Sequence, residues 1–243
     1  MRTLHIIMPM AGEGSRFLYG GWNTPKPLIE LKGVPLFVRA INSIDCEDIP
    51  IRYSFIVRKE HIEKYHIDDL IRRMLPDANI FSVQKTTRGA VETCLIAESV
   101  IDQDEAIMVM DCDLEFSSKA MNDNIRIILS KSSKEVNGGL LVSFKSDNPR
   151  YSYAETDDND IVLRTAEKEV ISQNALCGAY FFSTGTGFLK AAHQLMEDAS
   201  FNKPEFYLSL LYNYLLGNGE TVKLCPMEKY HSYGTPEELK QYL

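Results

Sequence analysis

A glycine-rich segment near the start of the sequence has the residue types needed to bind phosphate groups. It reads M-P-M-A-G-E-G-S-R-F over residues 8–17, and Lys26, a lysine between two prolines, follows it. Glycine has no Cβ, so the backbone N–H groups around Gly12 and Gly14 can approach an anion closely. The prolines restrict the backbone on either side of Lys26. The pattern favours phosphate binding by this loop, with Arg16 and Lys26 as cations, over a loop of solvated charges that contribute little to folding.

Two familiar phosphate-binding patterns do not match this loop. The dinucleotide-binding fingerprint needs a third glycine at the position of Phe17. The P-loop pattern needs Gly-Lys followed by Ser or Thr, which this segment lacks. A phosphate site of another kind is therefore expected.

A second segment ends in a pair of carboxylates. Ile107–Met110 is apolar, and Asp111 and Asp113 follow it with Cys112 between them. Residues i and i+2 of an extended chain share a face, so both carboxylates can converge on one cation while Cys112 faces the core. Mg²⁺ prefers oxygen ligands and completes its shell with water and phosphates. The pair predicts a magnesium site, and turn-forming aspartates are the alternative interpretation.

The predicted elements place both segments at strand ends. A strand over Leu4–Met10 leads into the glycine loop, and a strand over Ala106–Met110 leads into the aspartates. Strands and helices alternate through the first half of the chain, which is typical of a mostly parallel central sheet with helices on both faces. Further predicted elements are strands at 53–57 and 80–83 and helices at 35–44, 60–75, 90–99 and 122–130.

The second half is predicted to be mixed in strand direction. Short strands are expected at 139–144, 152–156, 161–166, 177–182 and 221–225, and helices at 187–197 and 205–216. A terminal helix begins at Pro236, with Thr235 as its N-cap. Because no linker or repeat interrupts the chain, the sequence predicts a single α/β domain over residues 1–243.

Charge and composition restrict the partners and the location. The chain has 26 Lys and Arg against 34 Asp and Glu, a net charge of −8, which argues against binding to nucleic acid or to an anionic membrane. The five cysteines are scattered without metal-site spacing, and no apolar run approaches the length of a membrane span, so a cytoplasmic location is expected. We expect His5 in the core and His61, His66 and His193 at the surface, whereas His231 is a further candidate for the site.

Over nearly its whole length the sequence resembles the nucleotidyltransferases of nucleotide-sugar biosynthesis. The similarity rests on A-G-E-G-S-R at 11–16, P-K-P-L at 25–28, E-K at 167–168, G-A-Y-F-F at 178–182 and Y-G-T-P-E-E-L at 233–239. P-M-A-G at 9–12 and N-P-R-Y-S-Y at 148–153 are most similar to members associated with capsule and surface polysaccharides. The resemblance implies the Rossmann-like α/β fold that this family shares with A-type glycosyltransferases.

The resemblance also implies a role for each candidate residue, with a nucleotide-binding half at 1–120 and an acceptor-binding half at 121–243. In the first half, Ala11, Gly12, Gly14, Gln84 and Gly89 would bind the nucleotide, Arg16 the leaving pyrophosphate, Lys26 the α-phosphate, and Asp111 and Asp113 a Mg²⁺ ion. In the second half, Arg150, Glu167, Lys168 and Gly178 would bind the acceptor. For Glu167 and Lys168 a surface ion pair is the alternative that spacing alone leaves open.

Three positions depart from the family pattern. Ser232, beside His231, stands where the family usually has an aspartate that helps to hold metal and acceptor. Ser152 replaces a glycine that approaches hexose hydroxyls, and Glu169 replaces a proline that often follows Glu-Lys. These departures favour an acceptor other than an ordinary hexose 1-phosphate and leave open whether one or two metal ions act.

The implied reaction is attack by a phosphate oxygen of a phosphorylated sugar or small phosphoester on the α-phosphorus of a nucleoside triphosphate, with release of pyrophosphate. CTP is favoured over UTP and dTTP, and the product would be a precursor for capsule or surface polysaccharide. One rival is an A-type glycosyltransferase that uses Asp111 and Asp113, and it would not need G-x-G-x-R or P-K-P. The other is a non-catalytic nucleotide-binding subunit, which has no reason to keep Arg16, Lys26 and both aspartates. The sequence does not decide between a monomer and a homo-oligomer.

Overall fold

The computed structural model describes residues 1–45 and 48–243, so Cys46 lies outside the described residues. Its strands are β1 (Leu4–Met10), β2 (Glu30–Leu31), β3 (Val34–Pro35), β4 (Ile51–Arg58), β5 (Asn79–Val83), β6 (Ala106–Met110), β7 (Leu114–Ser117), β8 (Gly139–Lys145), β9 (Ser152–Thr156), β10 (Val162–Glu167), β11 (Asn174–Phe182), β12 (Val222–Pro226) and β13 (Lys229–Ser232). Its helices are α1 (Ser15–Tyr19), α2 (Leu36–Ile41), α3 (Lys59–Tyr65), α4 (Ile67–Met74), α5 (Ala90–Leu95), α6 (Lys119–Leu129), α7 (Gly185–Glu197), α8 (Leu211–Gly217) and α9 (Pro236–Lys240).

A nine-stranded sheet forms the centre of the molecule. Seven strands follow the order β10-β9-β11-β6-β1-β4-β5, and β8 pairs with β11 and β12. β1 lies parallel to β4 and β6, with Leu4 opposite Ile51 on one side and Ala106 on the other. β5 extends the parallel part beyond β4, and β11 runs antiparallel beside β6. The predicted parallel first half and mixed second half are therefore confirmed.

Alternate residues of the central strands supply a core on each face of the sheet. Ile6 and Met8 of β1 pack into one core with residues of α2, α4 and α6. Ile7 packs into the other with residues of α5, α7 and α8. Because strand side chains alternate in direction and all three residues are buried, both faces of this strand must be covered by helices. The predicted arrangement with helices on both faces is confirmed.

The helix predicted over 60–75 is instead two helices. His66, between α3 and α4, has φ 50°, a left-handed conformation that ends α3 and begins a new helix. Ile67 and Ile71 lie in the same core that Ile62 contacts from across the break. The apolar spacing thus continues through the interruption, and hydrophobic periodicity alone could not reveal it.

Two short strands next to the predicted metal site have no counterpart in the sequence-based prediction. β7 begins directly after Asp113 and pairs antiparallel with β13, with Tyr230 opposite Phe116. Because the two partners are far apart in the sequence, no local turn pattern marks them as a pair.

At the C-terminus, Thr235 accepts a hydrogen bond from the Glu238 N–H at the start of α9, which confirms the predicted N-cap.

The histidine predictions are correct except at one position. His5 is buried and bonds Glu105 and Ser54, whereas His66 is exposed and His193 is half-buried at the surface. His61, expected at the surface, is only 7% exposed because it faces inward from α3. In the part of the chain that the structure describes, no helix is long and apolar enough to cross a membrane.

Candidate functional site

The carboxyl ends of the parallel strands bring the predicted segments to one edge of the sheet. The loop after β1 carries the glycines, and the chain after β6 carries the aspartates. Gly14 has φ 64°, which lets the chain turn into α1. The backbone N–H groups of Gly12, Glu13 and Gly14 donate to no acceptor among residues 1–45 and 48–243. Such unpaired amides in a glycine loop form a site suited to an anion.

Lys26 joins this loop to the two aspartates. Its Nζ lies 2.6 Å from Asp113 Oδ2, and 27% of its side chain is exposed. Burial would lower the pKa of the Lys26 amine, but the charge of Asp113 and the hydrogen bond between them raise it above its ordinary value. The interpretation of Lys26 as a solvated loop charge is therefore wrong, because the lysine is the counter-charge of the carboxylate pair.

The carboxylate of Asp111 is buried beside a second negative charge, that of Asp113. Burial, and then the charge of Asp113, raise the pKa of Asp111 to about 7. Its carboxylate has no hydrogen-bond or ion-pair partner among the described residues. Cys112 is 5% exposed and faces the core, as predicted from the alternation of side chains. Among residues 1–45 and 48–243, the strand end therefore presents two carboxylates to the site with Lys26 as the one close cation.

Gly178 of β11 is required where it lies against Asp111. The Asp111 N–H donates to the Gly178 carbonyl over 2.9 Å, and the glycine has φ 91°. A Cβ at this position would lie 2.4 Å from Asp111 Oδ2. The register of β11 against β8 shifts between Leu176 and Tyr180, which places this irregularity at the site. Gly178 therefore contacts the carboxylate pair, in addition to bordering the expected acceptor region.

A cavity of about 410 Å³ opens beside the aspartates. Seven residues predicted from the sequence border it together: Arg16, Asp111, Asp113, Arg150, Glu167, Lys168 and Gly178. The structure thus brings residues from both halves of the chain to a single space. Tyr151, Tyr180, Tyr207 and Tyr230 also border it and give it an aromatic lining.

Glu167 and Lys168 are not a surface ion pair. Glu167 is 9% exposed and accepts a hydrogen bond from Ser209 Oγ at 2.8 Å. Lys168 has φ 55°, which turns its side chain to Tyr207, where Nζ donates to the hydroxyl at 2.9 Å. Burial would lower the pKa of Lys168, but this hydrogen bond raises it, so the amine is a cation at the cavity wall.

Arg150 is held at the cavity by the C-terminal helix. Its guanidinium forms an ion pair with Glu238 of α9 and a hydrogen bond with the Tyr151 hydroxyl. Glu238 also accepts a hydrogen bond from Ser232 Oγ at 3.0 Å. Ser232, at the position where the family resemblance leads to an expected aspartate, therefore positions the carboxylate of Glu238. His231 lies nearer to Glu115 and Tyr233 than to the aspartates, and it does not border the cavity.

The remaining nucleotide-binding candidates lie around the same edge but outside the larger cavity. Ala11 is buried, and its carbonyl accepts from Arg58 Nη1 at 3.2 Å. Gln84 is exposed just after β5. Gly89 has φ 146° and lies so close to Phe206 that a Cβ would come within 2.4 Å of its backbone N. Gly89 therefore fixes how the loop after β5 packs.

A second cavity, of about 220 Å³, is bordered by the glycine loop itself. Gly12, Gly14 and Lys26 border it together with residues of β4 and α3, chiefly Arg58 and His61. Lys26 therefore borders this cavity while its amine bonds Asp113, which borders the larger one.

The aspartates fit a magnesium ion. In the described ranges no group of three or more His, Cys, Asp or Glu side chains is placed to hold a metal, so the protein would supply two carboxylates only. Magnesium commonly binds in this way, through one or two carboxylates with substrate phosphates and water as the other ligands. Asp111 is buried beside the charge of Asp113, and a divalent cation bound by both would offset that repulsion.

Sequence reasoning missed Tyr151, Tyr207, Glu238, Arg58 and His61. Tyr207 lies inside the helix predicted over 205–216, but in the structure it precedes α8 and borders the cavity. Glu238 lies within the Y-G-T-P-E-E-L segment, which was noted only as a family match. Arg58 is the last residue of β4, the strand beside β1, and this position at a strand end is the signal that could have identified it.

No family model and no curated protein sequence matches the chain. Solved structures do. A nucleoside-diphosphate-sugar pyrophosphorylase from Vibrio cholerae RC9 superimposes with a TM-score of 0.84 at 25% identity, over 98% of this chain and 99% of that one. A putative glucose-1-phosphate thymidylyltransferase from Bacillus anthracis gives 0.76 at 19% identity, over 99% and 93%. The inositol-1-phosphate CTP transferase from T. maritima gives 0.72 at 15% identity, over 100% and 94%. The chain therefore has the Rossmann-like α/β fold of these nucleotidyltransferases.

Proposed function

We propose that the protein is a nucleotidyltransferase that transfers a nucleoside monophosphate from a nucleoside triphosphate to the phosphate of a sugar or small phosphoester. The observation that carries the proposal is the position of Lys26, whose amine lies 2.6 Å from Asp113 at the junction of the glycine loop and the carboxylate pair. A fold shared with three enzymes named for this reaction class supports it.

The two reactants are polyanions, so the protein's task is to position them and to neutralise charge. The free N–H groups of Gly12 and Gly14 hold the triphosphate. Arg16 adds a cation to the triphosphate, and the Lys26 amine stabilises the charge that develops on the α-phosphate. The acceptor's phosphate oxygen forms a bond to the α-phosphorus as the bond to the pyrophosphate oxygen breaks. No protein side chain is covalently modified.

Magnesium, when bound by Asp111 and Asp113, would supply further positive charge to the phosphates. Lys26 is the close counter-charge of Asp113, and its charge also acts on Asp111. The Lys26 amine therefore holds the Asp113 carboxylate in place at the strand end.

The acceptor is expected in the cavity of about 410 Å³. Lys168 and Arg150 supply cations for its phosphate, and the buried carboxylate of Glu167 accepts a hydroxyl or amine donor. Arg150 is already paired with Glu238, so an acceptor phosphate would compete with that carboxylate. We propose an acceptor other than a hexose 1-phosphate, because Ser152 and Glu169 replace residues that suit a hexose.

CTP is the triphosphate we propose, with UTP and dTTP as the alternatives, and Gln84 and Gly89 as the residues near the base. The product would serve as an activated precursor for capsule or surface polysaccharide. We place the enzyme in the cytoplasm, where the reducing environment keeps thiols such as the buried Cys94 and Cys112 free.

The test is pyrophosphate release with Mg²⁺ and each of CTP, UTP, dTTP, ATP and GTP. Each nucleotide is paired with pooled sugar 1-phosphates and with phosphocholine, glycerol phosphate and phosphoglutamine. We expect a signal that needs one nucleotide and one acceptor and that disappears in Lys26→Met. No release across the grid, together with tight binding of a nucleotide sugar, would favour the A-type glycosyltransferase that uses Asp111 and Asp113.

A further inference from the structure

The smaller cavity, of about 220 Å³, is bordered by Arg58 and His61, which have no role in the reaction proposed above. The glycine loop forms one wall, and Arg58 and His61 contribute to the opposite wall from the end of β4 and from α3. Tyr65 fixes this wall in place, since its hydroxyl donates to the Asn23 carbonyl at 2.8 Å.

Arg58 is a cation with unused donors. Its Nη1 donates to the Ala11 carbonyl at 3.2 Å and to Thr86 Oγ1 at 3.1 Å. Neither partner is charged, and Nε and Nη2 have no acceptor among the described residues. The guanidinium is therefore held at the cavity by neutral groups while its charge and two of its donor atoms remain available for an anion.

His61 is a buried polar group without a partner. The residue is 7% exposed, and its Nδ1 has no hydrogen-bond partner in the described structure. Burial, and then the charge of Arg58, lower the pKa of His61 below its ordinary value. A buried polar atom left unpaired costs stability, so its retention at a cavity wall requires an explanation. Nδ1 is itself fully buried, so a ligand oxygen completes its hydrogen bonding only when the ring turns toward the cavity that His61 borders.

The two acidic side chains that border this cavity, Glu13 and Glu60, already accept hydrogen bonds within the protein. Glu60 accepts a hydrogen bond from Lys64 at 2.7 Å. Glu13 accepts one from Thr86 Oγ1 at 2.7 Å. Arg58 is the cavity's cation that forms no ion pair within the described ranges, because Lys26 is engaged by Asp113.

We propose that Arg58 and His61 bind the far end of the pyrophosphate leaving group, an inference that rests on the proposed function. In-line displacement requires the attacking oxygen and the leaving oxygen on opposite sides of the α-phosphorus. Lys26 connects the two cavities, and Arg16 borders only the larger one. As the α-phosphorus bonds the acceptor oxygen, the electron pair of the broken bond stays on pyrophosphate. Arg58 then neutralises part of that charge, and the His61 ring, turned toward the cavity, donates a hydrogen bond.

The test is calorimetric titration of the full-length protein with inorganic pyrophosphate and Mg²⁺. Arg58→Gln removes the charge but keeps a donor for Ala11 and Thr86. His61→Phe keeps a ring but removes both nitrogens. Each should weaken pyrophosphate binding about tenfold or more, as expected for the loss of a hydrogen bond to a charged group. The control Lys59→Gln removes an exposed charge next to Arg58 and should leave binding unchanged.

A melting curve separates this role from a structural one. His61→Phe should melt no lower than the wild type, because the substitution removes an unpaired buried nitrogen. If the wild type binds pyrophosphate and both variants bind it equally well, Arg58 and His61 do not form the subsite, and the proposed function is unaffected. If the wild type neither binds nor releases pyrophosphate with any nucleotide, the proposed function fails as well.

Discussion

The charge of Lys26 balances two carboxylates that the fold forces together. Asp111 and Asp113 share a face at the end of β6, and the lysine amine contacts the second of them. Replacing the lysine would leave both carboxylates without a close cation, and the pKa of Asp111 is already raised by burial and by its neighbour. Residue-scale changes at this junction therefore affect both charge balance and chemistry.

Lys26→Met keeps most of the side-chain volume and removes the ammonium group. We expect turnover to fall about 100-fold or more, as is typical when a group that stabilises transition-state charge is lost. The melting temperature should fall in the absence of Mg²⁺ and recover in part when Mg²⁺ is added, because the cation replaces the lost charge. Initial rates and thermal melts check this, with the exposed Lys134→Met as the control. Unchanged turnover would remove Lys26 from the mechanism.

Asp113→Asn tests the metal assignment. The amide has nearly the same shape but contributes no charge to a cation. We expect nucleotide binding to become independent of Mg²⁺, which titrations with Mg²⁺ and with a chelator would detect. Binding that stays metal-dependent in this variant would show that the ligands lie elsewhere.

Residue types and spacing predicted Arg16, Lys26 and the two aspartates, whereas the acceptor candidates Arg150, Glu167, Lys168 and Gly178 were predicted only from the family resemblance. Arg16 follows the glycine loop, Lys26 lies in a proline-restricted loop and the aspartates follow β6, and at such places sequence position predicts spatial position. The buried state of Glu167 and the pairing of Arg150 with Glu238 were not, because both depend on Ser209 and α9, far away in the chain. Contacts of this kind leave no local pattern.

At the scale of elements, the irregularity in β11 allows an antiparallel strand to approach the aspartates. Gly178→Ala would place a Cβ 2.4 Å from Asp111 Oδ2, so the carboxylate must move. We expect loss of Mg²⁺-dependent turnover by about tenfold or more, since misplacement of about 1 Å is costly to catalysis. Gly219→Ala is the control, because Gly219 also has positive φ, 80°, but no atom within 4 Å of the added Cβ. That variant should lose stability and keep its rate.

If Gly178→Ala and Gly219→Ala lower activity equally, backbone strain and not displacement of Asp111 explains the effect.

The sequence predicted the strands of the sheet better than the backbone irregularities within and between the elements. Alternation and apolar runs located β1 and β6 with the correct ends. The left-handed residues at His66 and Lys168 follow from tertiary packing, because lysine does not favour that conformation and a single histidine, although enriched in it, does not mark a helix break.

At the scale of the whole molecule, the edge of the sheet opposite the site has its own charged cluster. Glu105 is 5% exposed, accepts from His5 Nδ1 at 2.8 Å and forms a salt bridge with Arg52 at 2.7 Å. Burial would raise the pKa of Glu105, but the hydrogen bonds from His5 and Arg52 hold it below its ordinary value. The ionised form is therefore the one that the folded state stabilises.

A depressed pKa in the folded state means that Glu105 stabilises the protein above its unfolded pKa and that this contribution is lost as pH falls through the folded value. Glu105→Gln should lower the free energy of unfolding by about 2 kcal/mol at pH 7. The difference from the wild type should shrink towards pH 3. Urea denaturation at a series of pH values measures it. A difference that does not change with pH would assign the effect to packing.

We propose that residues 1–243 form one folding unit. β11, from the second half of the chain, pairs with β6 from the first half and with β8 and β9 from its own. Calorimetry should therefore give a single unfolding transition, with equal calorimetric and van't Hoff enthalpies. A fragment of residues 1–120 should not fold, because it leaves β6 without its antiparallel neighbour. Two resolved transitions would contradict a single domain.

The buried thiol of Cys112, between the two aspartates, can report whether a nucleotide occupies the site. Cys112 is 5% exposed, and burial raises its pKa to about 12, so the folded structure offers no reactive thiolate to an alkylating reagent. Modification requires local unfolding at the end of β6, and the modification rate therefore measures how often this local unfolding occurs. A nucleotide that binds this strand end would slow the modification of Cys112, so occupancy can be followed by mass spectrometry before any substrate pair is known.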